Sequence, residues 1–367
     1  MKVTRVDIFP LSVPLKGVFK NAHAVRTSQE SIVLIVQTDE GFTGLGNVDP
    51  DPGYSEESFS DTLGAIRQLA PDLTGMDPLN ITAALERMDR LLAGRLDAKA
   101  AIEMALFDLK GKVLGVPVHA LLGGAVKEEI FLNAWIGMLP PEQAAAEACA
   151  WHQRGFRSAK IKVGSGIEQD YARVKSVREA VGNRMALRID ANEAYSADEA
   201  IRLGKALAPL DLFLFEQPVS RRDLDGMAKV RRAIEIPVMA DEAILGPGTL
   251  IELIKKEAAD IIKVKVMKQG GIQRTTQMIH TAEAAGIRCV IGHGFGLAIN
   301  TLAELHVAAS CRNVLDGCEF VGPLKMETDV VKECLRMDDG RIRVPLENGL
   351  GAEIDHVRLR ESALASI

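Results

Sequence analysis

Three carboxylates and two lysine pairs recur along residues 160–265 at spacings that could build one site. Asp190, Glu216, Asp241 and Lys265 follow one another by 26, 25 and 24 residues, downstream of Lys160-Ile161-Lys162. Three acids brought together suit a hard divalent cation such as Mg²⁺. That ion takes oxygen ligands in an octahedron and keeps positions for water or substrate. Alternate side chains of a strand share a face, so Lys160 and Lys162 point one way and Ile161 the other, and Lys263 and Lys265 stand in the same relation. A lysine crowded by a cation and a second lysine gives up its proton more easily than a free one, whose pKa is ~10.4, and can serve as a base near neutral pH. Together these groups could remove the α-proton of a carboxylate held on Mg²⁺. A neighbouring ammonium would stabilise the enediolate, and a lysine on the opposite face would return a proton or assist a leaving group. Any one of these residues is adequately explained by a structural ion pair; three acids in register are not.

Such a site needs elements that deliver each charge to one place. Each charge closes a β-type segment, at 159–163, 187–191, 212–217, 237–241 and 261–266. Helices are predicted over 141–154, 169–181, 196–207, 224–233, 248–256, 271–285 and 297–309. A period of one strand plus one helix is the mark of β/α repeats, whose strand C-termini converge on one mouth. Further strands at 131–136, 289–292 and 316–320 bring the count to eight, the last unit being degenerate. A doubly wound open sheet would want a glycine-rich phosphate turn after its first strand, which this chain lacks. Ahead of the repeats, residues 1–50 predict three antiparallel strands (3–9, 31–37 and 42–48) with a turn at Asp39-Glu40-Gly41. A polar connection, 17–28, carries Lys20, Asn21, His23 and Arg26, and a second loop, 49–54, ends in Tyr54. The strongest helical pattern covers 97–113, with Asp97 as its N-cap and Gly115 and Pro117 ending it. The fold class expected is α/β: a (β/α)7β-type TIM barrel (126–324), an N-terminal α+β capping domain (1–125), and a C-terminal segment (325–367) that returns to complete the cap.

The remaining composition excludes other classes. Of 367 residues, 47% are hydrophobic and 26% charged, and the net charge of −6 gives no reason to expect nucleic acid or an anionic membrane as partner. No apolar run is long enough to span a bilayer, and Met1-Lys2-Val3-Thr4-Arg5 opens a strand rather than a signal peptide. The five cysteines (Cys149, Cys289, Cys311, Cys318 and Cys334) are scattered without metal-type spacing, which predicts reduced thiols and a cytoplasmic setting.

In order and spacing, the segments AIEMALFDLKGKVLGVP (101–117), LLGG, KIK, DAN, EQP, ADEA and VKVMKQGGI make the chain resemble the enolase superfamily, and within it the muconate lactonizing enzyme subgroup, over nearly its whole length. The resemblance implies that Asp190, Glu216 and Asp241 bind Mg²⁺, that Lys162 and Lys265 are paired acid/base catalysts, and that Lys160 helps hold the carboxylate of a small-molecule substrate. Asn192 and Glu242 match positions that support this set. The loops around Lys20–Arg26, with His23, and Asp49–Tyr54 would contact the distal part of the substrate, and a homo-oligomer is expected. Some positions depart from the family. Lys265 stands where the mandelate racemase branch has the Asp of a His–Asp dyad, although His293 falls at the end of strand seven, where it could touch substrate or act as an auxiliary acid. Cys318-Glu319-Phe320-Val321-Gly322-Pro323 replaces the Asp-x-Asp of dipeptide epimerases and is closer to muconate cycloisomerases, which disfavours a dipeptide. Glu319 could pair with a substrate ammonium or orient Lys265. Asn47 stands where the family commonly has a glutamate after Gly-x-Gly. The implied activity is racemisation or epimerisation of an amino-acid derivative; dehydration of a hydroxy acid such as a hydroxyproline, or muconate-type cycloisomerisation, are the alternatives.

Overall fold

Residues 32–36, Ile-Val-Leu-Ile-Val, are buried on both faces of their strand, which requires packing partners on both sides. In the computed structural model, which describes residues 1–20, 25–55 and 57–364, they lie in β2 (Val25–Thr38), between β1 (Val3–Lys20) and β3 (Thr43–Val48) in an antiparallel sheet. The helices α1 (Pro52–Ser55), α2 (Phe59–Leu69), α3 (Ile81–Leu91), α4 (Leu96–Leu114) and α5 (Val118–Leu121) follow. The long α4 packs on β3 because Gly44 and Gly46 remove the side chains between them: a Cβ at either would overlap the carbonyl oxygen of Ala105 or Ala101.

Two expectations change here. The connection predicted over 17–28 is largely ladder, since β1 and β2 resume pairing past an irregularity, with Phe19 opposite Arg26 and Lys20 opposite Val25. Antiparallel pairing between successive strands has overridden the local polarity. Nor is Asp97 an N-cap. The helix begins a residue earlier, behind Arg95 at φ 52°, and Asp97 is buried inside it, where its Oδ2 accepts from Ser55 Oγ at 2.7 Å. The C-terminal stop is as expected, with Gly115 at φ 69°.

The repeats run β4 (Glu129–Phe131), β5 (Ala134–Ile136), α6 (Pro141–Gln153), β6 (Ser158–Lys162), α7 (Ile167–Val181), β7 (Ala186–Asp190), α8 (Ala197–Leu207), β8 (Leu212–Glu216), α9 (Leu224–Ala233), β9 (Val238–Ala240), α10 (Pro247–Lys256), β10 (Ile261–Val264), α11 (Ile272–Ala284), β11 (Arg288–Ile291), α12 (Ala298–Ser310) and α13 (Gly322–Lys325). Strands β5 to β11 form a seven-stranded parallel sheet in sequence order, a curled half-barrel. The register lines up the charged ends: Lys162 opposes Asp190, and Asp190 opposes Glu216. Asp241 and Lys265 stand one residue past β9 and β10.

The strand predicted over 131–136 is split. Its first part, β4, leaves the parallel sheet to pair antiparallel with β12 (Arg341–Arg343). The strand predicted over 316–320 is not regular, although Cys318 bridges Leu132 and Glu319 N donates to Ile291 O at 2.8 Å. With Gly317 at φ 82° just before them, these residues touch both edges of the sheet without a ladder. The last residues return to the N-terminal sheet: Met326 bridges Leu15, and Ala363, after α14 (His356–Ser362), bridges Leu11. All five cysteines are free. Among the described residues no helix is long and apolar enough to cross a membrane.

Candidate active site

A cavity of about 410 Å³ opens at the C-terminal ends of the parallel strands. Asp190, Asp241 and Glu242 line it with Lys160, Lys162, Lys263, Glu319 and Lys325, while Glu216 and Lys265 are fully buried and meet these residues. Adjacent strands thus bring the acids and lysines together.

The ion pairs form one connected array. Lys162 Nζ donates to Asp190 Oδ2 at 2.6 Å. Lys160 Nζ reaches Asp190 at 3.1 Å, Glu216 at 3.2 Å and Glu319 at 2.6 Å. Lys263 Nζ reaches Glu319 at 2.5 Å, Glu216 at 3.1 Å and Asp241 at 3.5 Å. Lys265 donates to Asp241 Oδ1, and Lys268 donates to the Asp241 carbonyl at 2.6 Å. Burial opposes ionisation of Asp190, yet Lys162 and Lys160 pull its pKa down to about 2. For Asp241, Lys265 and Lys263 likewise overcome burial and hold the carboxyl well below the usual range. Glu216 goes the other way: burial and the charge of Asp190 push it up to about 8. Burial and the neighbouring Lys265 depress Lys268 to about 8.

The donor chemistry fits a hard cation. Asp190, Glu216 and Asp241 supply only oxygen, and the repulsion that raises Glu216 is what a divalent ion would relieve. The buried Glu242 Oε2 has no hydrogen-bond partner. The acids are nonetheless drawn onto ammonium groups rather than gathered as a cage: among the described residues no trio of His, Cys, Asp or Glu is arranged to hold a metal ion.

Neighbouring amides and backbone hold the charged groups in place. Asn192 accepts from Lys162 and donates from Nδ2 to Glu242 Oε1 at 2.8 Å, while its backbone N–H donates to Asp190 at 3.0 Å. Gln217 Oε1 accepts from the N–H groups of Asp241 and Ala243 at 3.0 and 3.1 Å. Gln269 Oε1 accepts from Lys265 N at 2.6 Å. Asn192, Glu193 and Gln217 all have positive φ (41°, 70° and 32°), so the strained backbone of the region sits at these strand ends.

The sequence-predicted residues divide as follows. Asp190, Glu216, Asp241, Lys160, Lys162, Lys265, Asn192, Glu242 and Glu319 come together. Glu319 contacts Lys160, Lys263 and Arg188 rather than Lys265. His293 does not line the cavity. It is fully buried, with Nδ1 2.7 Å from Glu304 and Nε2 3.6 Å from Asp49 of the N-terminal sheet, and those carboxylates, against the opposing effect of burial, raise its pKa to about 9. Asn47 is buried beside this pair, its Nδ2 donating to Ile32 O at 3.2 Å. His23 lies outside the described residues, as do the side chains of Lys20 and Tyr54. Arg26 and Asp51, from the two loops expected to contact the substrate, line the cavity and pair at 2.8 Å. Sequence reasoning missed Lys325, whose Nζ sits 4.3 Å from the Trp135 ring centroid and 4.2 Å from that of Phe295. Arg221, bound to Glu193 at 2.7 Å, reaches the carbonyl of Gly53 in the second loop. No short motif announces these contacts, because each joins distant segments. Lys268 could have been found, three residues beyond Lys265 in the same KVMKQGG run.

Comparison with known proteins gives a consistent picture. Residues 3–123 match the model of the mandelate racemase / muconate lactonizing enzyme N-terminal domain, and residues 143–358 match that of the enolase C-terminal domain-like family. The chain is 36% identical over 364 residues to the N-succinyl-L-Arg/Lys racemase of Bacillus cereus, covering 98% of each. It is 34% identical over 355 residues to the L-Ala-D/L-Glu epimerase of Bacillus subtilis, covering 96% of each. The crystal structure of the dipeptide epimerase of Enterococcus faecalis V583, complexed with Mg and the dipeptide L-Leu-L-Tyr, superposes with a TM-score of 0.92 at 34% identity, covering 96% of this chain and 99% of that one.

Proposed function

Because the chain belongs to the mandelate racemase / muconate lactonizing enzyme family of the enolase superfamily, we propose that it racemises or epimerises an N-substituted amino acid, one of Lys162 and Lys265 taking the α-proton and the other delivering a proton to the opposite face. The observation that carries this reading is the pair of lysines themselves. They close β6 and follow β10, with three strands between them, and each is hydrogen-bonded to an acid of the same row, Asp190 or Asp241.

On this reading Asp190, Glu216 and Asp241 hold Mg²⁺. A bound Mg²⁺ supplies a Lewis acid that stabilises the charge developing on the substrate carboxylate as the α-proton leaves. Lys160, buried in the array and protonated because Glu216 and Glu319 outweigh the cost of its burial, contributes a fixed positive charge toward that carboxylate. One catalytic lysine, in its neutral form, takes the α-proton on Nζ. The other, as an ammonium, delivers a proton to the opposite face, which inverts the centre and leaves the two lysines with exchanged protonation. Asn192 keeps Lys162 directed into the cavity, and Gln269 fixes the backbone from which Lys265 projects. By this proposal the barrel is closed by the Cys318–Glu319 contacts, and the N-terminal sheet caps its mouth.

The test is proton exchange in D₂O with Mg²⁺, following separately the L and D forms of N-acylated amino acids. The wild-type protein should exchange both. Lys162→Ala and Lys265→Ala should each lower racemisation by about 10²–10⁴-fold, the usual value of a positioned acid/base group, while each retains exchange with one enantiomer only. Two variants that lose the same enantiomer, or exchange that persists after chelation of Mg²⁺, would refute the two-base reading. Dehydration and cycloisomerisation share the same opening step and would show themselves as loss of water or ring closure in the same spectra.

A further inference from the structure

We propose that Arg173 of α7 is a positioning residue for one of the two lysines alone: with Asp170 it fixes the backbone of Lys162, and so governs proton transfer at one face of the substrate and not at the other. The inference rests on the two-lysine reading above and adds how each face is set. Strand β6 ends at Lys162, and the chain leaves it through Gly164 and Gly166, at φ 126° and 104°. Such a turn does not hold its own position. Arg173 and Asp170 lie behind it on the first two turns of α7, both buried. Arg173 Nη1 donates to the Lys162 carbonyl at 3.2 Å and Nε to the Leu139 carbonyl at 2.6 Å, which ties the end of β6 to the segment after β5. Nη1 also donates to Asp170 Oδ1, and Nη2 to Ser165 Oγ at 3.2 Å. Asp170 Oδ2 accepts from the N–H groups of Gly164 and Ser165 at 2.8 and 2.9 Å, and from the Tyr195 hydroxyl. The planar guanidinium presents its donors in a fixed fork, so it can meet two carbonyls and a carboxylate at once, which an ammonium cannot.

Lys265 is supported from elsewhere. Its N–H donates to Gln269 Oε1 at 2.6 Å. Just beyond, the buried Glu103 of α4 accepts from Ile272 N and Gln273 N at 2.6 and 2.8 Å, where α11 begins. The bonds of Arg173 fall on residues 139, 162, 165 and 170, so the support of one lysine can be loosened without touching that of the other. Proton transfer is steep in geometry, a misplacement of about 1 Å costing about 10²-fold. Racemisation passes through both lysines and joins two forms whose equilibrium the protein cannot alter, so its two directions slow together whichever support is lost. Exchange with solvent at a single face uses one lysine, and that separates them.

The experiment measures α-proton exchange in D₂O with Mg²⁺ for the L and D forms of one N-acylated amino acid, in the wild-type protein, Arg173→Lys, Tyr195→Phe and Gln269→Leu. The exchange that Lys162→Ala abolishes marks the Lys162 face. Arg173→Lys keeps the charge beside Asp170 and loses the fork. It should slow exchange at the Lys162 face about 10- to 100-fold, while the Lys265 face keeps its rate to within about threefold. Tyr195→Phe, which removes one donor to Asp170, should move the ratio of the two faces the same way by less, and Gln269→Leu should move it the opposite way. The ratio is taken on one sample, so partial misfolding of a variant does not alter it. Equal slowing at both faces or an unchanged ratio in Arg173→Lys, or a shift of the same sign in Gln269→Leu, would overturn the inference. If the wild-type protein exchanges neither form, the racemase reading fails by itself, and backbone hydrogen exchange followed by mass spectrometry decides the role of Arg173. Faster exchange in Arg173→Lys confined to residues 158–166 would sustain it as the support of Lys162; an equal change over 261–270, or none at all, would end it.

Discussion

Replacing His293 with Gln tests whether a buried ion pair ties the N-terminal sheet to the curled parallel sheet. The imidazole is fully buried, 2.7 Å from Glu304 of α12 and 3.6 Å from Asp49 beyond β3, and Asn300 Nδ2 lies 3.2 Å from the same Asp49 oxygen. Its pKa rises from the ordinary 6.5 to about 9, a differential stabilisation of the imidazolium of about 3 kcal/mol at 1.36 kcal/mol per unit. Because the folded value lies above the unfolded one, this stability is fully present below pH 6.5 and is lost as the pH rises through 9. Urea unfolding of the wild-type protein and His293→Gln should be followed at intervals from pH 6 to pH 9.5. Glu216 and Lys268 also titrate near pH 8, so the wild-type profile alone assigns nothing, and the difference between the two proteins is the observable. It should shrink by about 3 kcal/mol across the window. A difference that stays flat to within about 1 kcal/mol, or an imidazole that titrates below pH 7 by NMR, would refute the argument. The consequence reaches catalysis through Asp51, which lines the cavity two residues beyond Asp49: loosening this tie should raise KM more than it lowers kcat.

Gln217→Leu removes the acceptor for two buried N–H groups, those of Asp241 and Ala243. It should cost about 2–6 kcal/mol in urea unfolding, at about 1–3 kcal/mol per unsatisfied group. If Asp241 holds Mg²⁺ as proposed, it should also weaken Mg²⁺ binding about 10- to 100-fold by calorimetry, the usual effect of losing a group that orients a ligand; unchanged Mg²⁺ affinity would show that Gln217 does not position Asp241. Gly46→Ala drives a methyl into the Ala101 carbonyl and against the Ala105 side chain. It should destabilise the protein by about 1–3 kcal/mol or more, and an unaltered urea midpoint would mean that β3 and α4 are not in the close contact described.

What could be read in the sequence was what repeats. Asp190, Glu216, Asp241 and Lys265 were legible because a strand and a helix consume a near-constant length of chain, so charges at that period share one end of a sheet. Lys160 and Lys162 were legible from strand alternation. Lys325, Trp135 and Phe295 were not, since their meeting is a property of the assembled cavity and no local pattern encodes it. His293 was visible as a strand-end histidine, but its orientation away from the cavity depends on Asp49, 244 positions distant and contributed by another sheet. Asp97 misled for a different reason: an acid ahead of an apolar run reads as a cap, while here it is a buried acceptor for Ser55. The eighth strand was overcalled because the short segment 316–320, Asp-Gly-Cys-Glu-Phe, carries no information about whether its neighbours offer a regular ladder.

The return of the last residues to β1 has a consequence for the order in which the molecule can be made. Leu364 N donates to Pro10 O, Glu327 N to Pro14 O, and Ala363 bridges Leu11. During synthesis the ribosome releases β1 some three hundred residues before these partners exist. Until then, the stretch of β1 from Pro10 to Leu15 presents carbonyl groups that only water or another chain can satisfy. Nascent chains stalled before residue 326 should therefore bind chaperones and associate with one another far more than released chains do, even once the parallel sheet has formed.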